Sequence, residues 1–227
     1  ATVGQAGGLV VSAVATDAGC NGGTGSVVVS ASGGTSPYTG EGTFTETAGT
    51  YTYTVSDANG CSATASATVG QAGGLVVSAV ATDALCNGGN GSVVVSASGG
   101  TSPYTGEGTF SEVAGTYTYT VSDANGCSAT ASATVSEPTL LTASAVATDA
   151  LCNGGNGSVV VTASGGTSPY NGEGTFTETA GTYTYTVTDD NGCSATASAT
   201  VGQAGGLVVS AVATDALCNG GNGSVVV

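Results

Sequence analysis

The stretch Ala48–Val69, AGTYTYTVSDANGCSATASATV, decides how this chain is read. Tyr51, Tyr53 and Val55 alternate with Thr50, Thr52, Thr54 and Ser56, the period of two of a half-buried strand. Asp57-Ala58-Asn59-Gly60 supplies turn chemistry, because Asn-Gly tolerates positive φ at little cost. Cys61, Ala63, Ala65, Ala67 and Val69 then alternate with Ser and Thr. The stretch predicts a β-hairpin with one apolar and one hydroxyl-bearing face, the closing hairpin of a small sandwich. It returns as Ala114–Val135 and Ala180–Val201. The expected structural core is therefore Tyr51, Tyr53 and Val55, with Tyr117, Tyr119, Val121 and Tyr183, Tyr185, Val187 as counterparts.

Outside the hairpin the same repeat continues. Cys20, Cys86, Cys152 and Cys218 recur every 66 residues, and Cys61, Cys127 and Cys193 keep that spacing. The first two repeats differ only at Gly19/Leu85, Thr24/Asn90, Thr45/Ser111 and Thr47/Val113. The third departs mainly at its start, Ser136-Glu137-Pro138-Thr139-Leu140-Leu141. A self-similar period of this kind outranks other signals. It predicts β-sandwich repeats at 5–69, 71–135 and 137–201 and the start of a fourth at 203–227, an excerpt of a longer array. Within a repeat, Leu9–Thr16 reads as a first strand and Ser26–Ser32 as a second, with Val27, Val29 and Ala31 on one face. Tyr38–Thr39 and Thr43–Thr47 read as short strands before the tyrosine hairpin. Turn signals every 8–12 residues point to an antiparallel, immunoglobulin-like sandwich, and Tyr51 sits where a tyrosine corner belongs. A β-solenoid is the alternative, but its rungs would be shorter. The expected fold is all-β: tandem antiparallel sandwiches in a linear array.

Composition narrows function. The 227 residues include no Lys, Arg, His, Met or Trp, and the net charge is −15. Nucleic-acid binding needs cations at phosphates and is not expected. No apolar run is long enough to span a bilayer, and no signal-peptide pattern is present. Without His or Lys, neither a catalytic triad nor Schiff-base chemistry can be assembled. A carboxylate pair such as Glu41 and Glu46 could in principle suggest glycoside hydrolysis, but both flank a Gly-rich turn. No enzyme activity and no cofactor are expected. Calcium is the ion with candidate ligands, Asp57 and Asn59 with Asp17 or Glu41, and Asp123 and Asn125 as their counterparts, although Asp-x-Asn-Gly is also an Asx-type turn that needs no metal. The Thr50, Thr52, Thr54 row reads as the solvated face of a sheet.

At this point CNGGNGSVVVSASGGTSPY (Cys86–Tyr104) and AGTYTYTVSDANGCSATASATVSEP (Ala114–Pro138) resemble the SprB-type repeat of gliding-motility adhesins. Here the family's Tyr-x-Tyr-x-Trp strand is shortened to Pro37-Tyr38-Thr39-Gly40, and its Glu-Pro linker is kept only at Glu137-Pro138. The resemblance implies a very long, secreted, cell-surface protein that carries attachment to surfaces. Three roles follow as expectations: the stalk of such an adhesin, a self-assembling extracellular filament, or a calcium- or glycan-binding module. The expected partners are neighbouring repeats and, in a filament, other copies. Polysaccharide or solid surfaces would be met through parts outside this stretch.

The cysteines recur in phase without the short C-x-x-C spacing of a zinc site, so disulfides in an oxidising compartment are expected. Two schemes fit. One pairs Cys20–Cys61, Cys86–Cys127 and Cys152–Cys193 within repeats. In an immunoglobulin-like sandwich, however, the loop holding Cys20 and the turn before Cys61 lie at opposite ends, about 25 Å apart for eight-residue strands. A disulfide needs Cα atoms within about 6 Å. Stacked neighbours would then favour Cys20–Cys127 and Cys86–Cys193, with Cys61, Cys152 and Cys218 left for other repeats. If the strands between Thr35 and Thr47 change the strand parity, the two ends coincide and the first scheme holds.

Overall fold

A computed structural model describes residues 7–227, so the expected repeat start at residue 5 lies outside the described residues. Those residues form 17 strands and no helix. They group into two compact units, the first running to Asp83 and then Asn90–Ser136, the second comprising Ala84–Gly89 and Glu137–Val227.

In the first unit, β1 (Val10–Thr16), β2 (Thr24–Ser32) and β3 (Gly42–Thr47) form an antiparallel sheet in the order β1-β2-β3. β4 (Gly49–Ser56) and β5 (Ser62–Val69) form a second antiparallel sheet that packs on the first. The pattern recurs as β6 (Val76–Thr82), β7 (Gly91–Ser98) and β8 (Gly108–Glu112) against β9 (Gly115–Ser122) and β10 (Ser128–Val135). The second unit repeats it with β11 (Thr142–Thr148), β12 (Gly157–Ser164), β13 (Gly174–Glu178), β14 (Gly181–Thr188) and β15 (Ser194–Val201). The short pair β16 (Val212–Thr214) and β17 (Ser224–Val226) follows.

Alternation produces this fold. On β2, Val27 and Val29 are buried while Val28 between them is exposed. On β4, Tyr51, Tyr53 and Val55 point inward and the threonines outward. The core is thin. Among the described residues the largest wholly buried side chains are valines: Val27, Val55 and Val69 with their counterparts, and Val161. Tyr51 and Tyr53 are half-buried and pack against them from the side, with Phe44 and Tyr53 rings 4.7 Å apart. The tyrosine corner is present three times. The Tyr51, Tyr117 and Tyr183 hydroxyls donate to the carbonyls of Thr47, Val113 and Thr179 at 3.0–3.1 Å. Gly49 leaves room for this, because a Cβ there would press to 3.3 Å on the Tyr51 ring.

Two expectations change. Tyr38–Thr39 is not a strand; it contributes one antiparallel bridge, Thr39 to Ser56, because Gly40 and Gly42 turn the chain at positive φ. Cys61 is not on the apolar face of β5. It lies exposed in the turn, because the Asp57 N–H donates to the Cys61 carbonyl and closes the hairpin before β5 starts. The apolar run of β1 is two-sided, with Val10 and Val14 exposed and Val11 and Ala13 inward.

Every successive strand reverses, including β3 against β2. Five strands with four reversals make the chain arrive at one end of a repeat, the leading end, and leave at the other, the trailing end. The β1–β2 loop with Cys20 is at the trailing end, and the β4–β5 turn with Cys61 is at the leading end.

Replacing wholly buried Val55 by Ala is expected to cost about 2 kcal/mol, from two lost methyl groups and the cavity they leave. Val14→Ala on the exposed face should cost less than about 0.5 kcal/mol. Urea unfolding midpoints check the pair; equal shifts would overturn the core assignment.

Candidate functional site

The residues that carry chemistry gather at the two ends of each sandwich, in loops held by aspartates. At the leading end of the first repeat the Asp57 carboxylate is buried. Its Oδ1 accepts the N–H groups of Asn59 at 3.0 Å and Cys61 at 2.9 Å, and its Oδ2 accepts that of Thr35 at 3.0 Å. Thr35 belongs to the connection after β2, so this one side chain ties the two sheets together. Asn59 adds a bond from Nδ2 to Thr35 Oγ1. Asp123 and Asp189 repeat the arrangement.

Burial opposes the charge on Asp57, but the N–H donors of Thr35, Cys61 and Asn59 outweigh it and hold the carboxyl below its ordinary range. The same holds for Asp123. At Asp189 the Thr167 N–H is the largest influence and burial works against it. This donor set does not fit a calcium ion. Both oxygens of Asp57 and of Asp123 already accept N–H groups, and the Asn59 and Asn125 side chains act as donors. Asp57 with Asn59 and Asp123 with Asn125 form Asx-type turns.

The trailing end is latched in the same manner. Asp17 Oδ1 accepts the N–H of Gly70 at 2.7 Å, Ala18 N–H donates to the Gly70 carbonyl, and Gln71 Oε1 accepts the N–H of Gly22. Glu137 takes the glutamine's place on Gly88 at 2.6 Å, and Gln203 acts likewise on Gly154. The linker is thus clamped to the loop that holds the first cysteine of each repeat.

Between these ends lie the bridges. In the first unit Cys20 is bonded to Cys127, with Cα atoms 5.6 Å apart. In the second, Cys86 is bonded to Cys193 at 5.7 Å. Both separations are ordinary for disulfides. A side-chain bond accompanies each: Asn125 Nδ2 donates to the Gly19 carbonyl at 2.9 Å, and Asn191 Nδ2 to that of Leu85 at 3.1 Å. The asparagine beside the metal-like Asp is therefore a contact between repeats. Cys61, Cys152 and Cys218 carry exposed free thiols, and the within-repeat pairs Cys20–Cys61, Cys86–Cys127 and Cys152–Cys193 do not form.

The two glutamates do not work as a pair. Glu41 Oε1 accepts the N–H of Ala31, just past the point where β3 stops covering β2, and Glu107 and Glu173 do the same for Ala97 and Ala163 at 2.6 Å. Glu46 Oε1 accepts the Tyr53 hydroxyl at 3.3 Å. Burial, then the Glu46 charge, raises the Tyr53 pKa above its ordinary value.

Fold and bridges together define a tandem β-sandwich repeat protein whose neighbouring repeats are covalently joined. The family model described as SprB repeat matches residues 78–105 and 144–171. Each match runs from within the first strand of a repeat, through its cysteine loop, to the bridge before the third strand. No curated protein matches the chain. Among solved structures, a chain from "Structural basis for Dscam isoform specificity" is similar at 11% identity, covering 85% of this chain and 72% of that one. Its TM-score of 0.27 is too low to carry an argument.

Because their folded pKa values are lowered, the three aspartates stabilise fully above the ordinary value of 3.8, and that stability is lost as pH falls further. Melting temperature followed from pH 7 to pH 2.5 should drop below about pH 4. The triple variant Asp57→Asn, Asp123→Asn, Asp189→Asn should start lower and fall less. Parallel curves would overturn the role given to these carboxylates.

Proposed function

We propose that the chain is a non-catalytic, load-bearing part of the stalk of a long bacterial surface adhesin, secreted and held outside the cell. One observation carries the reading: each bridge joins the first loop of one repeat to the closing turn of the next. The bridges also interleave, since Cys86 lies between Cys20 and Cys127. The shortest covalent path from Ala1 to Val227 runs to Cys20, across to Cys127, back to Cys86 and across to Cys193. Fewer than half of the residues lie on it. At about 3.4 Å per extended residue, the chain can stretch to about 770 Å without bridges but only about 330 Å with them. Tension is then carried by bonds that do not depend on a thin valine core. Cell-surface location is supported by the SprB repeat and by disulfides, which persist in oxidising surroundings.

Force spectroscopy tests this. Pulled from its termini, the oxidised chain should reach less than half the contour length of the chain pretreated with reductant. Antibody against the repeats should label intact cells. Equal contour lengths, or a reduced pool confined to the cytosol, would overturn the proposal.

A second reading, a filament with lateral contacts, is favoured by the outer face of the three-stranded sheet. Val14 and Val28 lie opposite each other there, 63% and 49% exposed, among Ser and Thr without a charge. Val80/Val94 and Val146/Val160 repeat the pair. Lateral assembly should increase near pH 4, where the carboxylate charge falls, and should disappear in a Val14→Thr, Val80→Thr, Val146→Thr variant.

A further inference from the structure

We propose that Asn21, Asn87 and Asn153 are latent deamidation sites, which the linker side chains Gln71, Glu137 and Gln203 keep shut until the linker lifts off its loop. Each asparagine stands in the same local sequence, Cys-Asn-Gly-Gly, at residues 20–23, 86–89 and 152–155. An asparagine loses its amide most readily before glycine, because glycine has no side chain to shield its own nitrogen. All three asparagines are exposed, and a Cβ built on Gly22, Gly88 or Gly154 would meet nothing within 4 Å. Solvent therefore reaches each site, and bulk does not protect it.

Protection comes from an acceptor on the attacking nitrogen. The Gly22 N–H donates to Gln71 Oε1 at 3.1 Å, the Gly88 N–H to Glu137 Oε2 at 2.6 Å and the Gly154 N–H to Gln203 Oε1 at 2.9 Å. A nitrogen whose proton is held in this way gives it up less readily. The guards are unequal. Glu137 also accepts Asn87 Nδ2 through Oε1 at 3.2 Å, and the same Nδ2 donates to the Pro138 carbonyl at 3.0 Å. One carboxylate thus holds both reacting groups, and a nitrogen anion beside its negative charge is disfavoured. Each acceptor lies 49 residues after the glycine it holds, so the guard is lost whenever linker and loop part. The closing turns carry a local guard instead. There the Gly60, Gly126 and Gly192 N–H groups donate to the Asp57, Asp123 and Asp189 carbonyls at 3.0 Å, bonds that do not involve the linker.

The reaction needs only water and hydroxide. Hydroxide takes the glycine N–H proton, and the nitrogen attacks the asparagine Cγ. The bond from Cγ to Nδ2 breaks, ammonia leaves, and a succinimide ring closes. Water then adds to one ring carbonyl, and opening gives aspartate or isoaspartate. Nothing is oxidised or reduced: one amide and one water become one carboxylic acid and one ammonia. At Asn87 the product would set a second carboxylate against Glu137, and like charges there would keep the clamp from reclosing. A clamp that has once opened is thereby marked for good.

The test incubates the whole chain at mildly alkaline pH and digests samples with pepsin in acid, which stops the reaction. Mass spectrometry then reads amide-to-acid exchange at each asparagine. Asn21 and Asn87 share a local sequence and follow bonded cysteines, so a difference between them reports the guard. In the folded chain Asn21 should deamidate faster than Asn87, and in urea with reductant the two rates should be equal. Glu137→Gln should bring Asn87 to the rate of Asn21. Glu137→Ala should raise it about tenfold, the loss of one charged hydrogen bond. The rate at Asn125, guarded within its own turn, should stay the same in both variants, and a retained Cys86–Cys193 bridge shows that each has folded. Equal rates at Asn21 and Asn87 in the folded chain, or an unchanged rate in Glu137→Ala, would overturn the proposal. So would a slower rate in Glu137→Gln, which would make the carboxylate a base rather than a guard.

Discussion

The rest of the structure depends on the carboxylate of Asp57 and its counterparts. A sandwich of five strands with valine as its largest wholly buried residue has little apolar area to hold its sheets together. Asp57 supplies what packing does not. By accepting N–H groups from both Thr35 and the closing turn, it locks the connection after β2 to the β4–β5 hairpin. The same bonds fix the backbone on either side of Asn59 and Cys61, the two residues through which neighbouring repeats meet. Fold and contact surface thus share one determinant, and that is why the turn looks alike in all three repeats.

Strand parity does the remaining work. Five reversing strands put the first loop and the last turn of a repeat at opposite ends, so the cysteines of one repeat cannot reach each other and those of successive repeats can. Each bridge closes 107 residues of sequence separation. In the loop-entropy model this removes about 5 kcal/mol of denatured-state freedom. For a domain near the lower limit of self-sufficient size, such a cross-link is comparable to its whole stability.

Much of this was legible in the sequence, for local reasons. The alternation of Tyr51, Tyr53 and Val55, the inward Val27 and Val29 and the tyrosine corner all follow from a period of two and a glycine two residues before the tyrosine. The cysteine pairing stayed open because it hung on the parity of Thr35–Thr47, where glycines and a proline obscure the count. What could not be read depends on distant backbone. Glu41 caps Ala31 only because β3 ends short of it, and Gln71 or Glu137 clamps a loop some fifty residues earlier. Asn59 and Asn125 suggested calcium because an Asx turn and a fragment of a cation loop share a motif. The third N–H, from Thr35 or Thr101, is what distinguishes them, and it comes from another strand connection. The outward Val10 and Val14 hid in an apolar run whose period VVSAVAT does not resolve.

The central claim, that bridges join neighbouring repeats through their ends, is tested most directly by non-reducing peptide mapping. With no Lys or Arg for trypsin, pepsin at low pH is the suitable protease and also suppresses thiol exchange. The account predicts linked peptides containing Cys20 with Cys127 and Cys86 with Cys193. A peptide pair joining Cys86 to Cys127 would contradict it.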